Sequence, residues 1–315
     1  MTDLYVGIDT SNYTTSAAVC SADGIILANL KIPLPVKEGG RGLRQSDAVF
    51  EHVRNLPELM KKLSGEIRDG RVKAVGVSTR PRDAEGSYMP CFLSGRSAAY
   101  SLAAASNAPV YELSHQNGHI MAALYSSDSL HLLDGDGFFA FHVSGGTTEL
   151  LLVTPSPDGF DVKLVGETDD INAGQAIDRI GVAMGMKFPA GREMEALAGR
   201  FEGKIHKHPV SVKDGRCSLS GAENIALRLR ENEGDAAAAA FVFDFICRTL
   251  CAMRDEAFSK HGKRSVVYAG GVMSNRIMRK ALADGCDAYF AEPEFSADNA
   301  AGIALLCRER DKIKI

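Results

Sequence analysis

Two stretches decide the fold: residues 4–19, which read LYVGIDTSNYTTSAAV, and residues 139–153, which read FAFHVSGGTTELLLV. In each, an apolar run leads into a turn of small polar residues and then into a second apolar run, which is the pattern of a β-hairpin. The hairpins begin about 135 residues apart. Self-similarity at such a distance is typical of an internal duplication. We therefore expect two similar lobes.

A third stretch, residues 266–275, reads VVYAGGVMSN and predicts a buried strand whose glycines open a helix. Helical patterns alternate with strand patterns along the rest of the chain, and this alternation predicts the α/β class. Helices are expected at 46–63, 96–105, 116–125, 174–184, 235–258 and 297–308. Further strands are expected at 25–30, 74–78, 161–165 and 288–290.

The composition is that of an ordinary globular protein, with 315 residues, 45% apolar and 24% charged. A formal net charge of −4 and a pI of about 6.1 give no sign of an extended basic face for nucleic acid. If RNA is a substrate, a local patch or a partner protein must help to hold it.

The cysteines and the N-terminus predict a cytoplasmic protein. Seven scattered cysteines, never spaced CxxC, indicate small buried side chains in a reducing compartment, not a disulfide frame or a thiolate metal site. The N-terminus runs directly into a strand pattern, so no signal peptide is expected. The longest apolar run, residues 236–243, is too short to cross a bilayer, so no membrane association is expected.

The hairpin tips suggest phosphate binding. Small residues at a turn expose backbone N–H groups, which form a concave donor cluster suited to phosphate oxygens. Gly270 and Gly271 at a strand end would let a nucleotide approach the backbone beside a helix N-terminus. Asp9 is expected within the first tip, where it would order a metal ion or a water molecule.

His115 and His119 form an HxxxH pair. On a helix this spacing places both imidazoles on one face, within reach of one ion. From the spacing alone, two hydrogen-bonded histidines at a helix start are the better explanation, because two nitrogens do not complete a metal site. The pair lacks the adjacent glutamate that metalloproteases use as a base, so a peptidase is not indicated.

In order along the chain, eight segments resemble the family of tRNA threonylcarbamoyladenosine-synthesis transferases, called TsaD-like and formerly labelled O-sialoglycoprotein endopeptidases. The segments are GIDTS (7–11), HQNGH (115–119), VSGG (143–146), GQAID (174–178), FPAG (188–191), SLSG (218–221), AGGVMSN (269–275) and ADNA (297–300). The resemblance implies an actin and sugar-kinase type of fold, with two RNase H-like lobes and a ligand cleft between them. We expect the first lobe at 1–133 plus 297–315 and the second at 134–296.

The resemblance also implies the site residues and ligands. One divalent metal ion, iron or zinc, is expected on His115, His119 and Asp298, with His142 as a fourth ligand. Asp9 is the expected catalytic residue. An adenine nucleotide or carbamoyl-adenylate, with or without magnesium, is expected on Ser144, Gly145, Gly146, Asp178, Gly191, Glu195, Gly271 and Asn275. The acceptor implied is tRNA, reached with partner proteins in a dimer or hetero-complex.

Two departures distinguish this chain from the pattern of the family. Relatives carry Cys-Asp-Glu where this chain has Asn12, Tyr13 and Thr14, and they carry histidine or asparagine where it has Thr147. The missing acids would have assisted proton removal from an acceptor amine. The sequence therefore indicates a divergent paralogue. Three readings stay open: a threonylcarbamoyl transferase, a nucleotide- and metal-binding partner without transfer activity, and a carbamoyl transferase for another acceptor.

Overall fold

The structure, a computed structural model, describes residues 1–35 and 43–313. The chain divides into two compact units. The first comprises Met1–Ser126, Pro155–Asp161 and Glu294–Ile315, and the second comprises Ser127–Thr154 and Val162–Pro293. The lobe boundaries drawn from the sequence stay a prediction.

The described part of the first unit contains a five-stranded sheet in the order β3-β2-β1-β4-β5. Its strands are β1 (Thr2–Ser11), β2 (Thr14–Ser21), β3 (Ile26–Pro33), β4 (Gly70–Arg80) and β5 (Val110–Ser114). The first three strands form an antiparallel meander, which confirms the first predicted hairpin, and β4 and β5 run parallel to β1. Because β1 continues to Ser11, Asp9 lies inside the strand, and the prediction that it lies in the tip is wrong.

Four longer helices cover this sheet within the described residues. They are α1 (Gln45–Glu66), α2 (Phe92–Ser106), α3 (His115–Ser126) and, at the end of the chain, α10 (Ala301–Ile313). Apolar side chains such as Val6, Ile8, Val75 and Leu59 are fully or almost fully buried between sheet and helices. The core therefore fixes the carboxyl ends of β1, β4 and β5 at one edge of the sheet.

Glycines allow α10 to pack very closely on its neighbours. A Cβ on Gly302 would collide with the backbone oxygen of Gly118 in α3, and a Cβ on Gly7 in β1 would collide with the backbone of α10. Interiors pack at crystal-like density, so even one methyl group at these positions must push the elements apart. These contacts determine where the segment that precedes α10 lies.

The described part of the second unit contains a seven-stranded sheet in the order β12-β11-β6-β7-β8-β10-β9. Its strands are β6 (Phe138–Val143), β7 (Thr148–Ser156), β8 (Gly159–Thr168), β9 (Val212–Lys213), β10 (Arg216–Cys217), β11 (Val266–Ala269) and β12 (Ala288–Phe290). The β6–β7 hairpin is antiparallel, and β11 runs parallel to both β6 and β12. The order β8-β7-β6-β11-β12 repeats the strand order of the first unit, as the predicted duplication requires.

The long helix α7 (Asp235–His261) is contacted by four other helices of the second unit: α4 (Ala173–Ala183), α5 (Gly191–Ala198), α6 (Gly221–Glu233) and α8 (Arg276–Leu282). The short α9 (Pro293–Ser296) lies at the boundary, and its residues from Glu294 onwards belong to the first unit. The length and apolar composition of α7 would suffice to cross a membrane, but 72% of its most apolar window is buried inside the protein. Such burial is typical of the core helix of a globular domain.

Most of the predicted elements are present, with two corrections to their ends. Gly270 and Gly271 do not open a regular helix, because a 3₁₀ turn at Gly271–Ser274 intervenes and α8 begins only at Arg276. The last helix begins at Ala301, four residues later than predicted, because the Asn299 side chain accepts a hydrogen bond from the Ala301 N–H and so caps the helix. The α/β class is confirmed.

Candidate functional site

The first candidate site is built on the start of α3. His115 is the first residue of that helix, and His119 lies one turn later on the same face. Their Nε2 atoms are 3.0 Å apart, and the two rings meet edge to face with centroids 4.4 Å apart. The predicted sharing of one helix face is confirmed.

Asp298 joins this pair from the segment between α9 and α10. Its Oδ1 lies 3.3 Å from Nε2 of His119 and 3.7 Å from Nε2 of His115. The close approach of Gly302 to Gly118 brings this distant segment to α3. Among the described residues, these three side chains form a group whose ligand atoms all lie within 4.8 Å of one another.

Asp9 holds His115 from the side opposite Asp298. The carboxylate is fully buried, and its Oδ1 lies 3.0 Å from Nδ1 of His115 and accepts a hydrogen bond from Ser78 Oγ. A carboxylate at Nδ1 holds hydrogen on that nitrogen, so Nε2 is the nitrogen that faces His119 and Asp298 and that would bind a metal ion after losing its proton. Oδ2 of Asp9 is buried and has no hydrogen-bond partner among the described residues.

Asp9, His115 and Asp298 shift one another's pKa. Burial lowers the pKa of His115, but the nearby carboxylates of Asp9 and Asp298 outweigh burial and raise that pKa to about 9. Burial raises the pKa of Asp9. The charge and hydrogen bond of His115 and the hydrogen bond of Ser78 more than offset this effect, so the pKa of Asp9 lies below its usual value. The pKa of Asp298 is likewise lowered, because the two histidines outweigh the effect of its burial. The cluster therefore keeps both acids ionised.

The three side chains fit a divalent metal ion. Tetrahedral zinc with bonds of about 2.0–2.1 Å places its ligand atoms roughly 3.3 Å apart. The observed separations of 3.0, 3.3 and 3.7 Å bracket that value. Two imidazoles and one carboxylate are suited to zinc or iron. The bond from Asp9 to the outer nitrogen of His115 is the usual support of a metal-bound imidazole.

A second candidate site is a cavity of about 550 Å³ in the second unit. It lies where the β6–β7 turn, the first turns of α4 and α5, and the 3₁₀ turn before α8 converge. Its lining comprises Gly145, Gly174, Ile177, Asp178, Pro189, Gly191, Arg192, Glu195, Phe243, Gly271, Val272, Ser274, Asn275 and Pro293. The volume is within the range of small-molecule sites.

The turn at Ser144–Gly146 is closed by its own serine. Ser144 Oγ accepts hydrogen bonds from the N–H groups of Gly146 and Thr147, at 3.2 and 3.1 Å. The Ser144 carbonyl in turn accepts from the N–H of Gly174, at 3.1 Å, at the start of α4. The turn is thereby fixed against the helix. Gly145 faces the cavity without a side chain.

Two carboxylates and one amide border the same cavity. Asp178 Oδ1 accepts from the Ala190 N–H at 2.8 Å, and Glu195 Oε1 accepts from the Arg276 N–H at 2.7 Å. Asn275 is buried, and its Oδ1 accepts from Met278 N at 2.9 Å and caps α8. Each group keeps a fixed position, and the second oxygen of each carboxylate remains for a ligand such as a sugar diol.

The structure brings together most of the predicted nucleotide residues. Ser144 and Gly146 lie in the turn beside the cavity but are not among its lining residues. Arg192, Phe243, Val272 and Pro293 line the cavity but were not predicted from the sequence. Phe243 belongs to the apolar pattern of α7, and nothing in that pattern distinguishes a cavity residue from a core residue. His142 lies on β6 in the second unit, and its role as a fourth metal ligand stays a prediction.

The sequence as a whole matches a known family. The sequence model of the TsaD family, tRNA N6-adenosine threonylcarbamoyltransferase, matches residues 36–305. This chain belongs to the TsaD family. The resemblance inferred from the eight segments is thereby confirmed, and with it membership of a family of transferase enzymes.

Relatives named tRNA N6-adenosine threonylcarbamoyltransferase align with nearly the whole TsaD-family chain. The protein of Streptococcus agalactiae serotype Ia is 30% identical, over 97% of this chain and 92% of its own length. The protein of Aromatoleum aromaticum is also 30% identical, over 95% of this chain and 89% of its own length.

Solved structures confirm the actin and sugar-kinase type of fold for this TsaD-family chain. The activator of 2-hydroxyisocaproyl-CoA dehydratase from Clostridium difficile, with bound ADPNP, has a TM-score of 0.52 at 15% identity and covers 100% of this chain and 97% of its own. A ROK family glucokinase from Streptomyces griseus has a TM-score of 0.52 at 15% identity, covering 97% and 99%. HypF from T. kodakarensis has a TM-score of 0.62 at 13% identity, and the match covers 99% of this chain and 48% of HypF.

Proposed function

We propose that this protein transfers a threonylcarbamoyl group from its adenylate to the N6 amine of a tRNA adenosine, and that one iron or zinc ion takes part. The observation that carries the proposal is the convergence of His115, His119 and Asp298, with His115 fixed by a buried carboxylate. Family membership supplies the reaction class.

In this proposal the adenylate occupies the cavity of the second unit. The carboxylates of Asp178 and Glu195 accept hydrogen bonds from the ribose hydroxyls. The phosphate lies on the Ser144–Gly146 turn at the Gly145 N–H, because the N–H groups of Gly146 and Thr147 already donate to Ser144 Oγ. Gly191 and Gly271 let the nucleotide approach the backbone, and Asn275 holds the 3₁₀ turn that carries Gly271. ATP, with magnesium, is a ligand of the same cavity.

The chemistry is an acyl transfer. The acceptor amine attacks the carbamoyl carbonyl, AMP leaves, and the amine loses one proton to solvent or to the leaving phosphate. When bound, the metal ion supplies Lewis-acid polarisation of an oxygen of the acyl donor. Asp9 is fully buried, so we assign it to positioning His115, without contact to substrate. With a net charge of −4, the protein holds tRNA through a local basic patch or with the help of partner proteins.

The test is transfer of the group from threonylcarbamoyl-adenylate to tRNA by the metal-loaded protein. Wild-type protein with its partners should modify the tRNA, and His119→Ala should lose both the metal and the activity. His131→Ala, in a 3₁₀ turn of the second unit, is the matched control and should keep both. Metal-loaded protein that binds no adenine nucleotide and modifies no tRNA would refute the proposal.

One observation favours a second candidate, a nucleotide- and metal-binding partner protein without transfer activity. The first hairpin tip, Asn12–Tyr13, carries no acid to assist proton removal. Complementation of cells that lack their own threonylcarbamoyl transferase separates the two candidates, because only an active transferase restores the modified tRNA. A carbamoyl transferase for another acceptor would bind the adenylate, fail in complementation and react in a screen of amine acceptors.

A further inference from the structure

The tip of the first hairpin presents one aromatic side chain to solvent. The β1–β2 ladder ends at the pair Ser11–Thr14, so Asn12 and Tyr13 alone form the turn. The side chain of Tyr13 is exposed, with the residue at 45% of its full accessibility. Its backbone is held, because its carbonyl accepts a hydrogen bond from Leu34 N at 2.8 Å.

The first residue of helix α1, Gln45, fixes the rest of the tip through hydrogen bonds of its side-chain amide. Gln45 donates from Nε2 to Asn12 Oδ1 at 2.6 Å and accepts the Cys91 N–H at its Oε1 at 3.3 Å. One amide thus ties the tip to the residue before α2. Such a bridge between three segments leaves the tip little freedom to move.

Below the tip, two more side chains of α1 contact the second strand. Nδ1 of His52 lies 2.9 Å from Thr15 Oγ1, and Asn55 Nδ2 donates to the same oxygen at 3.1 Å. Burial lowers the pKa of His52, so its ring is neutral. Among the residues that the structure describes, the tip is therefore held without any charged group, and Tyr13 is the large side chain that it offers to a ligand.

The tip lies close to the candidate metal site within the same unit. Asp9, which holds His115, belongs to the strand that leads into the tip, and Ser11 is the last residue of that strand. Two residues of chain span at most about 7 Å, so the Tyr13 backbone lies within that distance of Ser11. Its ring can contact a substrate group that reacts at this site.

We propose that Tyr13 is a stacking platform for an unpaired nucleobase of the RNA acceptor. An uncharged, preorganised and exposed aromatic ring is suited to a flat, uncharged partner, and unpaired bases are recognised in this way on tyrosine and phenylalanine. An acidic or basic peptide would need a charge that Asn12, Tyr13 and Thr14 do not supply. The inference rests on the proposed function and names the residue that contacts its acceptor.

The test uses the absence of tryptophan from the sequence. In Tyr13→Trp the new indole is the single tryptophan of the protein, so its fluorescence reports directly on contact with a base. A short RNA stem-loop with unpaired adenosines should quench this fluorescence, and a fully paired duplex of the same composition should not. For binding of the stem-loop, Tyr13→Phe should match wild type, and Tyr13→Ala should bind about 5- to 100-fold more weakly.

Tyr88 offers the matched control, because it is also an exposed tyrosine of the first unit, at 62% accessibility. Tyr88→Trp should show little quenching by the stem-loop, and Tyr88→Ala should bind RNA like wild type. Equal quenching at both positions, or wild-type affinity in Tyr13→Ala, would overturn the inference. Binding of an adenine nucleotide, measured on the same variants, is a separate readout. If wild-type protein bound no adenine nucleotide, the proposed function would fail. The inference about Tyr13 fails on RNA affinity alone.

Discussion

Nδ1 of His115 lies 3.0 Å from Oδ1 of Asp9, a carboxylate that is fully buried inside β1. Burying a charge without a partner is costly, so this carboxylate requires a donor, and the imidazole supplies it. The same bond determines which nitrogen of His115 faces His119 and Asp298. A hydrogen bond between the sheet and a helix thus prepares the candidate metal site.

Asp9→Asn should weaken metal binding about 10- to 100-fold, the usual cost of losing a group that supports a metal-bound histidine. Asparagine keeps the size of the side chain but loses the charge that fixes the His115 tautomer. Metal affinity is measured by competition with a coloured chelator, and circular dichroism checks the fold. Asp23→Asn, at an exposed turn, is the control and should bind like wild type. An unchanged affinity in Asp9→Asn would show that the bond does not prepare the site.

Lys31→Met should also lower metal affinity, by about 10-fold, because Lys31 holds the segment that carries Asp298. Its Nζ donates to the carbonyl of Glu294 at 2.5 Å, and burial lowers its pKa even though Glu294 and Asp298 raise it. The loss should appear in a titration with Co²⁺, whose visible spectrum reports the ligand set. Lys73→Met, a half-buried lysine on β4 of the same sheet, should leave the spectrum unchanged. Equal effects of the two substitutions would indicate a general loss of stability.

Local patterns predicted much of the fold. The two hairpins and α1, α3, α4 and α7 follow from periodicity and turn residues, which act over a few positions. Helix α5 was not predicted, because Gly191–Ala198 is short and only Met194 and Ala198 in it are buried. Its apolar pattern is too sparse to distinguish it from a loop.

The site was predictable only in part, because some of its contacts join residues that are far apart in the sequence. The spacing of His115 and His119 predicts that they share a helix face, which is a local property. The approach of Asp298 depends on close packing between Gly302 and Gly118, which are far apart in the sequence. Only the family resemblance indicated Asp298, and neither pattern nor resemblance indicated that Asp9 binds His115.

Asp170 should make stability depend on pH in the acid range. Burial raises its pKa, but hydrogen bonds from the N–H groups of Leu219, Ile171 and Ser220 and from the Ser220 hydroxyl lower it to about 2. Because the pKa is lower in the folded protein, the stabilisation is complete above the unfolded value of 3.8 and is lost as the pH falls towards 2. After allowance for solvent screening of this exposed carboxylate, Asp170→Asn should cost about 1 kcal/mol at neutral pH.

Urea unfolding of wild type and Asp170→Asn at neutral pH and at acid pH checks this prediction. The difference between the two free energies of unfolding should shrink as the pH falls from 4 towards 2. Asp161→Asn, at another exposed aspartate, should show no such dependence. A difference that stays constant with pH would mean that the hydrogen bonds act without the charge of Asp170.

Gly174→Ala should weaken nucleotide binding, with a smaller effect on stability. A Cβ at this position would lie 2.7 Å from the backbone nitrogen of Gly145 and 2.8 Å from the carbonyl oxygen of Ser144, too close for either to stay in place. Overpacking costs about 1–3 kcal/mol, but alanine recovers up to about 1 kcal/mol of helix propensity. The strain therefore falls on the Ser144–Gly146 turn.

Calorimetric titration of Gly174→Ala with ADP should show at least about 10-fold weaker binding, while metal affinity in the first unit stays unchanged. Gly221→Ala, at the first residue of α6 with open space around its Cβ, is the control and should bind ADP like wild type. Wild-type affinity in Gly174→Ala would place the nucleotide away from this turn.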